Sequence, residues 1–540
     1  MKILRPVPRS VTRAFTVVTV VAWLVTIGTL VSRAYLQTSL SLATDLARYG
    51  SDAQWHGVYY RGEKIGFTVR QVLPSGRGFE LQEDGRLQMS LLGATTTTRL
   101  RTTAQVDERF AVQSFAFELD PGTDPTTVSG VVTGSTLELE TTTSAGIRRE
   151  TRRLPAPPVL ALSLGRRLAS EGLETGVSHD WLVFDPATLQ NATLSARIGE
   201  RSLVQVGHTR QRVPAYEVSI RFVGLETTAW VTETGEVIRE ESPMGMITMR
   251  ESSDLAPRMT VMSGRARTDL LEAAAIVPGM KGRIDEPRDV TRARIRLTNA
   301  DVSGFEIDGL NQSFSGDVVE LRDPRELRAG PADTDLERFL VPESLLESDD
   351  PAIRAEAERA VGAAVGTRAR AERLVRHVAA LLEKKPTVSL PSASEVLRTK
   401  VGDCNEHTAL YVAMARSIGI PSRIAVGLAY TRGAFYYHAW PEVYIDEGGG
   451  RGLWLPVDPT FNQFPADTLH LRLARGGLDR QAAILPLVGR LEMTVLDLDV
   501  DPIALANRVL VGRRPADRAP LSLPVPSTSG SSCWGFLTGR

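Results

Sequence analysis

The chain has 540 residues, more than one hydrophobic core normally serves, so two or three domains are expected. A hydrophobic share of 42% and a charged share of 24% are ordinary for globular protein, and a net charge of −1 gives no electrostatic reason for a nucleic-acid partner. Two cysteines exclude a disulfide framework; Cys533 lies in a polar tail, which leaves Cys404 without an evident structural partner.

At the N-terminus, Lys2, Arg5, Arg9 and Arg13 precede an uncharged run from Ala14 to Ser32. Nineteen residues at 1.5 Å each span roughly 28 Å, close to the hydrocarbon thickness of a bilayer. The basic flank stays cytoplasmic, which places the rest of the chain outside. Residues 1–35 thus read as a transmembrane signal anchor, and the protein as single-pass in the cytoplasmic (inner) membrane, with its bulk extracytoplasmic, or periplasmic. A cleaved signal peptide is the rival, but Ser41-Leu42-Ala43, its passable cleavage site, lies well beyond the apolar run.

Residues 50–255 form an expected β-rich domain. Val58–Tyr60 and Ile65–Val69 flank a turn at Arg61–Lys64, a hairpin pattern. Further strands are expected at Ala94–Thr103, Ala111–Glu118, Leu203–Val206 and Ala215–Phe222, with one helix at Leu160–Glu171. Thr-rich alternation and frequent Gly favour a twisted antiparallel sheet, a half-barrel or a sandwich. No acid–base constellation falls here, so this domain is expected to bind substrate or a partner.

A smaller β segment follows in 290–345, with strands at Arg292–Leu297, Phe305–Ile307 and Asp317–Leu321. Pro351 to Glu383 reads as helical, with Val375, Val378, Ala379 and Leu382 at helical spacing, ended by Pro386 and Pro391. A cysteine-centred domain is expected over 350–500, self-contained from near Pro342, with one or two strands at Ile484–Leu498. The tail, 513–540, is polar and reads as disordered.

Chemistry concentrates in Ser394–Pro465. Gly402 and Asp403 suit a turn and an N-cap, and Leu410, Ala413, Met414 and Ile418 share a helix face that Gly419 and Pro421 end. Cys404 then sits in the first turn of a buried helix, where exposed N–H groups and the macrodipole are expected to favour thiolate. Tyr437–Ile445 alternates, with His438, Trp440, Glu442 and Tyr444 on one face. A turn at Gly448-Gly449-Gly450 leads to Leu453–Thr460, a hairpin that brings Asp458 beside His438. A lone buried Cys is usually inert packing, and a strand His usually a core residue; their combination carries the catalytic reading. Trp440 and Trp454 read as core residues beside the site. Cys404, His407, His438 and Asp458 fit no structural zinc spacing, so neither metal nor cofactor is expected.

Gly402-Asp403-Cys404, His438-Ala439-Trp440 with Glu442-Val443-Tyr444, and Trp454–Thr460 resemble the three blocks of the transglutaminase-like superfamily, and Arg416–Gly427 resembles its usual link. The resemblance implies an α+β, papain-like transglutaminase core behind the β-rich domain and the membrane helix. It implies a catalytic triad of Cys404 as nucleophile, His438 as base and Asp458 as orienter, acting on a protein or peptide substrate through a thioester. Hydrolysis by a cysteine protease or amidase is the leading expectation; a crosslinking acyltransferase and a non-catalytic peptide- or envelope-binding module stay open.

Overall fold

A computed structural model describes residues 49–50, 52–91, 94–122, 125–242, 245–258, 269–385, 392–476 and 484–503. The expected membrane anchor, Cys533 and the polar tail lie outside these residues. Among the described residues, no helix is long and apolar enough to cross a membrane. The chain divides into two compact units, Met1–Gln54 and Trp55–Arg540. Only 49–50 and 52–54 of the first are described. The second holds every candidate catalytic residue.

A large antiparallel sheet of fourteen strands dominates the first half of this second unit. Two meanders build it, the first running to Gly146–Arg153 and the second from Ser178–Asp185 to Met246–Glu251. They join where the first strand pairs with the last, Trp55 opposite Glu251. Strand Val112–Asp120 shows why the sequence folds so. Phe115, Phe117 and Leu119 are buried while the residues between them are more open. That period of two buries one face, and each buried phenylalanine contributes about 1.5–3 kcal/mol. The Arg61–Lys64 hairpin forms, with Arg61 and Gly62 both at positive φ. The expected helix is shorter than its pattern: Ala161–Ser163 is a tight 3₁₀ turn and Leu164–Glu171 the α-helix.

The second half is a mixed α/β assembly. Its main sheet runs in the order Gly330–Pro331, Arg451–Pro456, Ala434–Gly448, Ser422–Thr431, His470–Arg475. Helices Pro351–Val361, Thr367–Leu381 and Ala393–Thr399 pack around a central helix, Cys404–Ser417, whose residues from Glu406 onward are all buried. The single helical stretch expected from Pro351 is two helices. Gly362 and Gly366, at φ of 51° and 83°, take the positive-φ conformations that stop the first and start the second.

A second sheet corrects the idea of a cysteine domain self-contained from near Pro342. Strand Glu492–Val500 pairs with Val290–Thr298, beside Val318–Arg322 and Gln312–Ser315. One continuous core joins Val290, Ile295 and Val319 of this sheet to Leu374, Tyr411, Val443 and Leu471 around the central helix. Local sequence cannot announce that pairing, because its two strands stand about 200 residues apart in the chain. Phe305–Ile307, expected as a strand, is irregular; its role is to lie under Arg472, whose guanidinium donates to the Glu306, Ile307, Asp308 and Gly309 carbonyls.

Candidate active site

Asp403 caps the central helix by a reciprocal pair of bonds. Its carboxylate accepts from the Asn405 amide at 2.9 Å, and the Glu406 carboxylate accepts from the Asp403 amide at 2.8 Å. Gly402 is required by this turn: a Cβ there would lie 2.2 Å from Cβ of Glu406. Cys404 follows as the first helical residue, half-buried. The backbone of Ala439, next to His438, acts on the Cys404 thiol in the direction that favours its charged form. Thr408 ties the helix to the same strand through the Ala439 carbonyl at 3.1 Å.

His438 lies opposite Gly427 in the strand register. That glycine also permits a close approach, since a Cβ would meet the Leu471 carbonyl at 2.0 Å. The His438 ring stacks on Phe461 with centroids 4.7 Å apart, and Trp440 lies 6.0 Å away. Its Nε2–H donates to Oδ2 of Asp458 at 2.8 Å. Nδ1 is thereby left as the ring's proton-accepting nitrogen.

Asp458 is fully buried and held by a turn. Its amide and carbonyl exchange bonds with Gln463, and its Oδ1 accepts from the Phe461 amide at 2.9 Å. Burial works against the charged form, yet hydrogen bonds and charge from His438 and His470 hold the Asp458 carboxyl well below the usual carboxylate range. The structure thus brings His438 and Asp458 into contact, from one strand and the turn after its neighbour, while Cys404 starts the helix that Thr408 ties to the His438 strand.

The expectation of a favoured thiolate is corrected. Burial pushes the Cys404 thiol well above its ordinary value, and the carboxylates of Asp403, Glu406 and Asp458 push the same way. The Ala439 backbone opposes them. Burial is the largest cause, and the Asp403 carboxylate that caps the helix start comes next.

His407 is fully buried, with Nδ1 bonded to the Asp403 carbonyl at 2.6 Å and Nε2 without a partner. Burial pulls its pKa down, so it is neutral and fixes the helix to the turn. Trp440 is core, as expected, but also a wall of the site, with His438 and His470 against its ring. Trp454 packs away from it, under Arg423 and bonded to Asp333.

Sequence reading missed His470, whose Nε2 reaches the same Asp458 oxygen at 3.0 Å. An Asp-x-x-His pattern at Asp467–His470 is the only local signal, and it lies just past the motif block. His438, Asp458 and His470 place ligand-type atoms within 4.8 Å of one another. Both nitrogens of His470 face carboxylates, Asp467 at 2.9 Å and Asp458 at 3.0 Å. Beside the central helix, a cleft of about 630 Å³ runs between the two halves, lined by Arg148, Arg149 and Arg152 on one wall and Asn405, Ala409 and Ile424 on the other.

Residues 355–459 match the transglutaminase-like superfamily, so this stretch is a transglutaminase-like domain, joined to a large antiparallel β-rich region. A proposed cysteine protease of Cytophaga hutchinsonii is similar at 19% identity over 39% of this chain and 86% of that one, with a TM-score of 0.26. A β-barrel-like protein of unknown function from Brucella abortus shares 12% identity over 37% of this chain and 95% of that one, with a TM-score of 0.29. A proposed protease of Parabacteroides distasonis shares 11% over 69% and 66% respectively, with a TM-score of 0.18. No curated protein matches the chain.

Proposed function

We propose that this protein is a cysteine amide hydrolase, a peptidase or amidase, anchored in the inner membrane by its N-terminal segment and working outside the cytoplasm. The observation that carries the catalytic reading is the 2.8 Å bond from His438 Nε2 to Asp458, which leaves Nδ1 as the base on the strand that Thr408 ties to the Cys404 helix. The anchor rests on the basic flank and the apolar run of Ala14–Ser32.

Because burial and the neighbouring carboxylates favour the thiol over the thiolate, the first step is general-base attack. His438 takes the Sγ proton as the S–C bond forms at the amide carbonyl. The proton passes to the leaving nitrogen as the C–N bond breaks, giving a thioester and a free amine. Water then gives a proton to His438 while its oxygen bonds the acyl carbon, the S–C bond breaks and the proton returns to sulfur. Asp458 keeps the imidazole in the tautomer that both steps need. The cleft that Asn405 shares with the β-rich region supports a role for that region in holding substrate.

Incubation with a glutamine peptide and an amine-bearing reporter tests the reading by product mass. A carboxylate product that vanishes in Cys404→Ala supports hydrolysis. An amine adduct would replace it with acyl transfer, and no product from any tested amide would favour a binding module. Protease added to intact spheroplasts should digest residues beyond the anchor; complete protection would overturn the topology.

A further inference from the structure

His470 begins the outer strand of the main sheet, opposite Ala429. It is buried, and its ring packs among Trp440, Phe461 and His438. Nε2 lies 3.0 Å from Oδ2 of Asp458, and Nδ1 lies 2.9 Å from Oδ1 of Asp467. A neutral imidazole carries one N–H, so it would set a lone pair against one of these buried carboxylates. Only the doubly protonated ring satisfies both contacts. Although burial opposes the charge, the Asp467 and Asp458 carboxylates raise its pKa to about 10.

The second carboxylate is itself braced. Asp467 Oδ2 accepts from the Gln463 side chain at 2.8 Å, and Gln463 returns the contact by accepting from the Asp467 amide at 2.8 Å. Gln463 also closes the turn that holds Asp458. Asp458, Gln463, Asp467 and His470 therefore form one closed network behind His438.

We propose that His470 is a positioning residue for the reaction at Cys404: as a fixed cation between Asp458 and Asp467, it clamps the carboxylate that orients His438 and offsets part of that carboxylate's charge. This rests on the Cys404–His438–Asp458 reading. With Oδ2 shared, Asp458 accepts the N–H of His438 at 2.8 Å while the second ring meets its charge at 3.0 Å. The charged or titratable groups around His470 are Asp458, Asp467 and His438. Lys384 and His407 act more remotely, through Asp458.

Two amide replacements separate the parts of the proposal. In His470→Gln, the amide nitrogen takes the place of Nε2, keeping the bond to Asp458 without the charge. In His470→Asn, it takes the place of Nδ1, keeping the bond to Asp467 and losing Asp458. The readout is the rate of iodoacetamide alkylation of Cys404 against pH, in full-length protein carrying Cys533→Ser. His470→Gln should keep the plateau rate within about threefold and move the acid limb up by roughly one pH unit, the size expected for removing one charge at this range. His470→Asn should show the same displacement and lose about tenfold or more of the plateau. Unchanged limbs in both variants, or equal losses that follow only thermal stability, would overturn the proposal. If neither variant folds, imidazole ¹⁵N spectra of the wild-type protein decide. One of its seven histidines should stay doubly protonated at about pH 8, where an ordinary imidazole is neutral, and finding none would refute the cation. His438→Ala separates the two claims. If it leaves alkylation untouched, the catalytic reading fails; if it slows alkylation while His470 variants behave as wild type, only the role of His470 fails.

Discussion

At the scale of residues, the site separates what a motif states from what its surroundings decide. Cys404, His438 and Asp458 were legible because each block carries its own turn or strand pattern. The direction in which the sulfur's pKa moves was not, because it depends on burial first and then on Asp403 and Glu406, which are at once the cap and nearby charges. Alkylation of Cys404 by iodoacetamide should therefore rise toward alkaline pH, with a midpoint above that of an ordinary thiol near ~8.5. Rapid alkylation at mildly acidic pH would show instead that the thiolate is stabilised. Cys404→Ala should abolish turnover with the fold kept. Asp458→Asn should lower kcat by about 10³–10⁴-fold, since an amide favours the wrong His438 tautomer. The Asp458–His470 contact also fixes a stability profile. The folded pKa of His470 is raised to about 10, so its contribution is full below about 6.5 and fades as pH climbs toward 10. Asp458 is depressed, so its share is full above about 4 and fades as pH falls through the folded value. Denaturant midpoints should be highest between about pH 4 and 6.5, and His470→Gln should flatten the alkaline side.

At the scale of elements, what holds the site is a set of polar contacts that periodicity does not report. Glu442 was read as sharing a face with His438, which is correct, but its partners come from two other strands. Its buried carboxylate accepts from Arg423 at 2.7 Å, Arg475 at 2.8 Å and Arg472 at 3.2 Å. Burial disfavours its charge, but the charges of Arg475, Arg472 and Arg423 outweigh this and hold its pKa below the ordinary value. Removing that acceptor leaves three cations packed together. Glu442→Ala should cost about 3–5 kcal/mol, a loss read from chemical unfolding. Glu406→Ala removes half of the cap on the Cys404 helix and should cost only about 0.5–2 kcal/mol. It also removes one of the charges that raise the thiol, so alkylation of Cys404 should speed up at neutral pH although the protein is less stable. A merely loosened helix would accelerate alkylation at every pH by the same factor; a lowered thiol pKa shifts the midpoint.

At the scale of the whole molecule, the question is where the catalytic half begins. The motif block alone points to a start near Pro342, but the continuous core begins at Ile276. The Phe435 backbone exchanges both hydrogen bonds with Ile276, and strand Val290–Thr298 supplies the partner for Glu492–Val500. A fragment starting at Pro342 would expose Leu471, Leu473 and their neighbours where Ile295, Ile307 and Val319 had packed, and would leave the last strand unpaired. Such a fragment should be insoluble or unreactive. One spanning 269–503 keeps both sheets and should retain cooperative unfolding. The large sheet meets this half largely through polar contacts, with Arg148 bonded to Asp349 at 2.9 Å, and Ser144 and Ser344 to Glu395 and Glu150. Apolar contact across the boundary comes from single side chains, with Leu345 packed against the core of the large sheet and Ala273 against Val58, Tyr60 and Ile65. The 269–503 fragment should therefore alkylate at Cys404 with the pH profile of the full chain while binding substrate more weakly, a higher KM at similar kcat. If its thiol profile differs from that of the full chain, the β-rich half shapes the site itself and not only the approach to it.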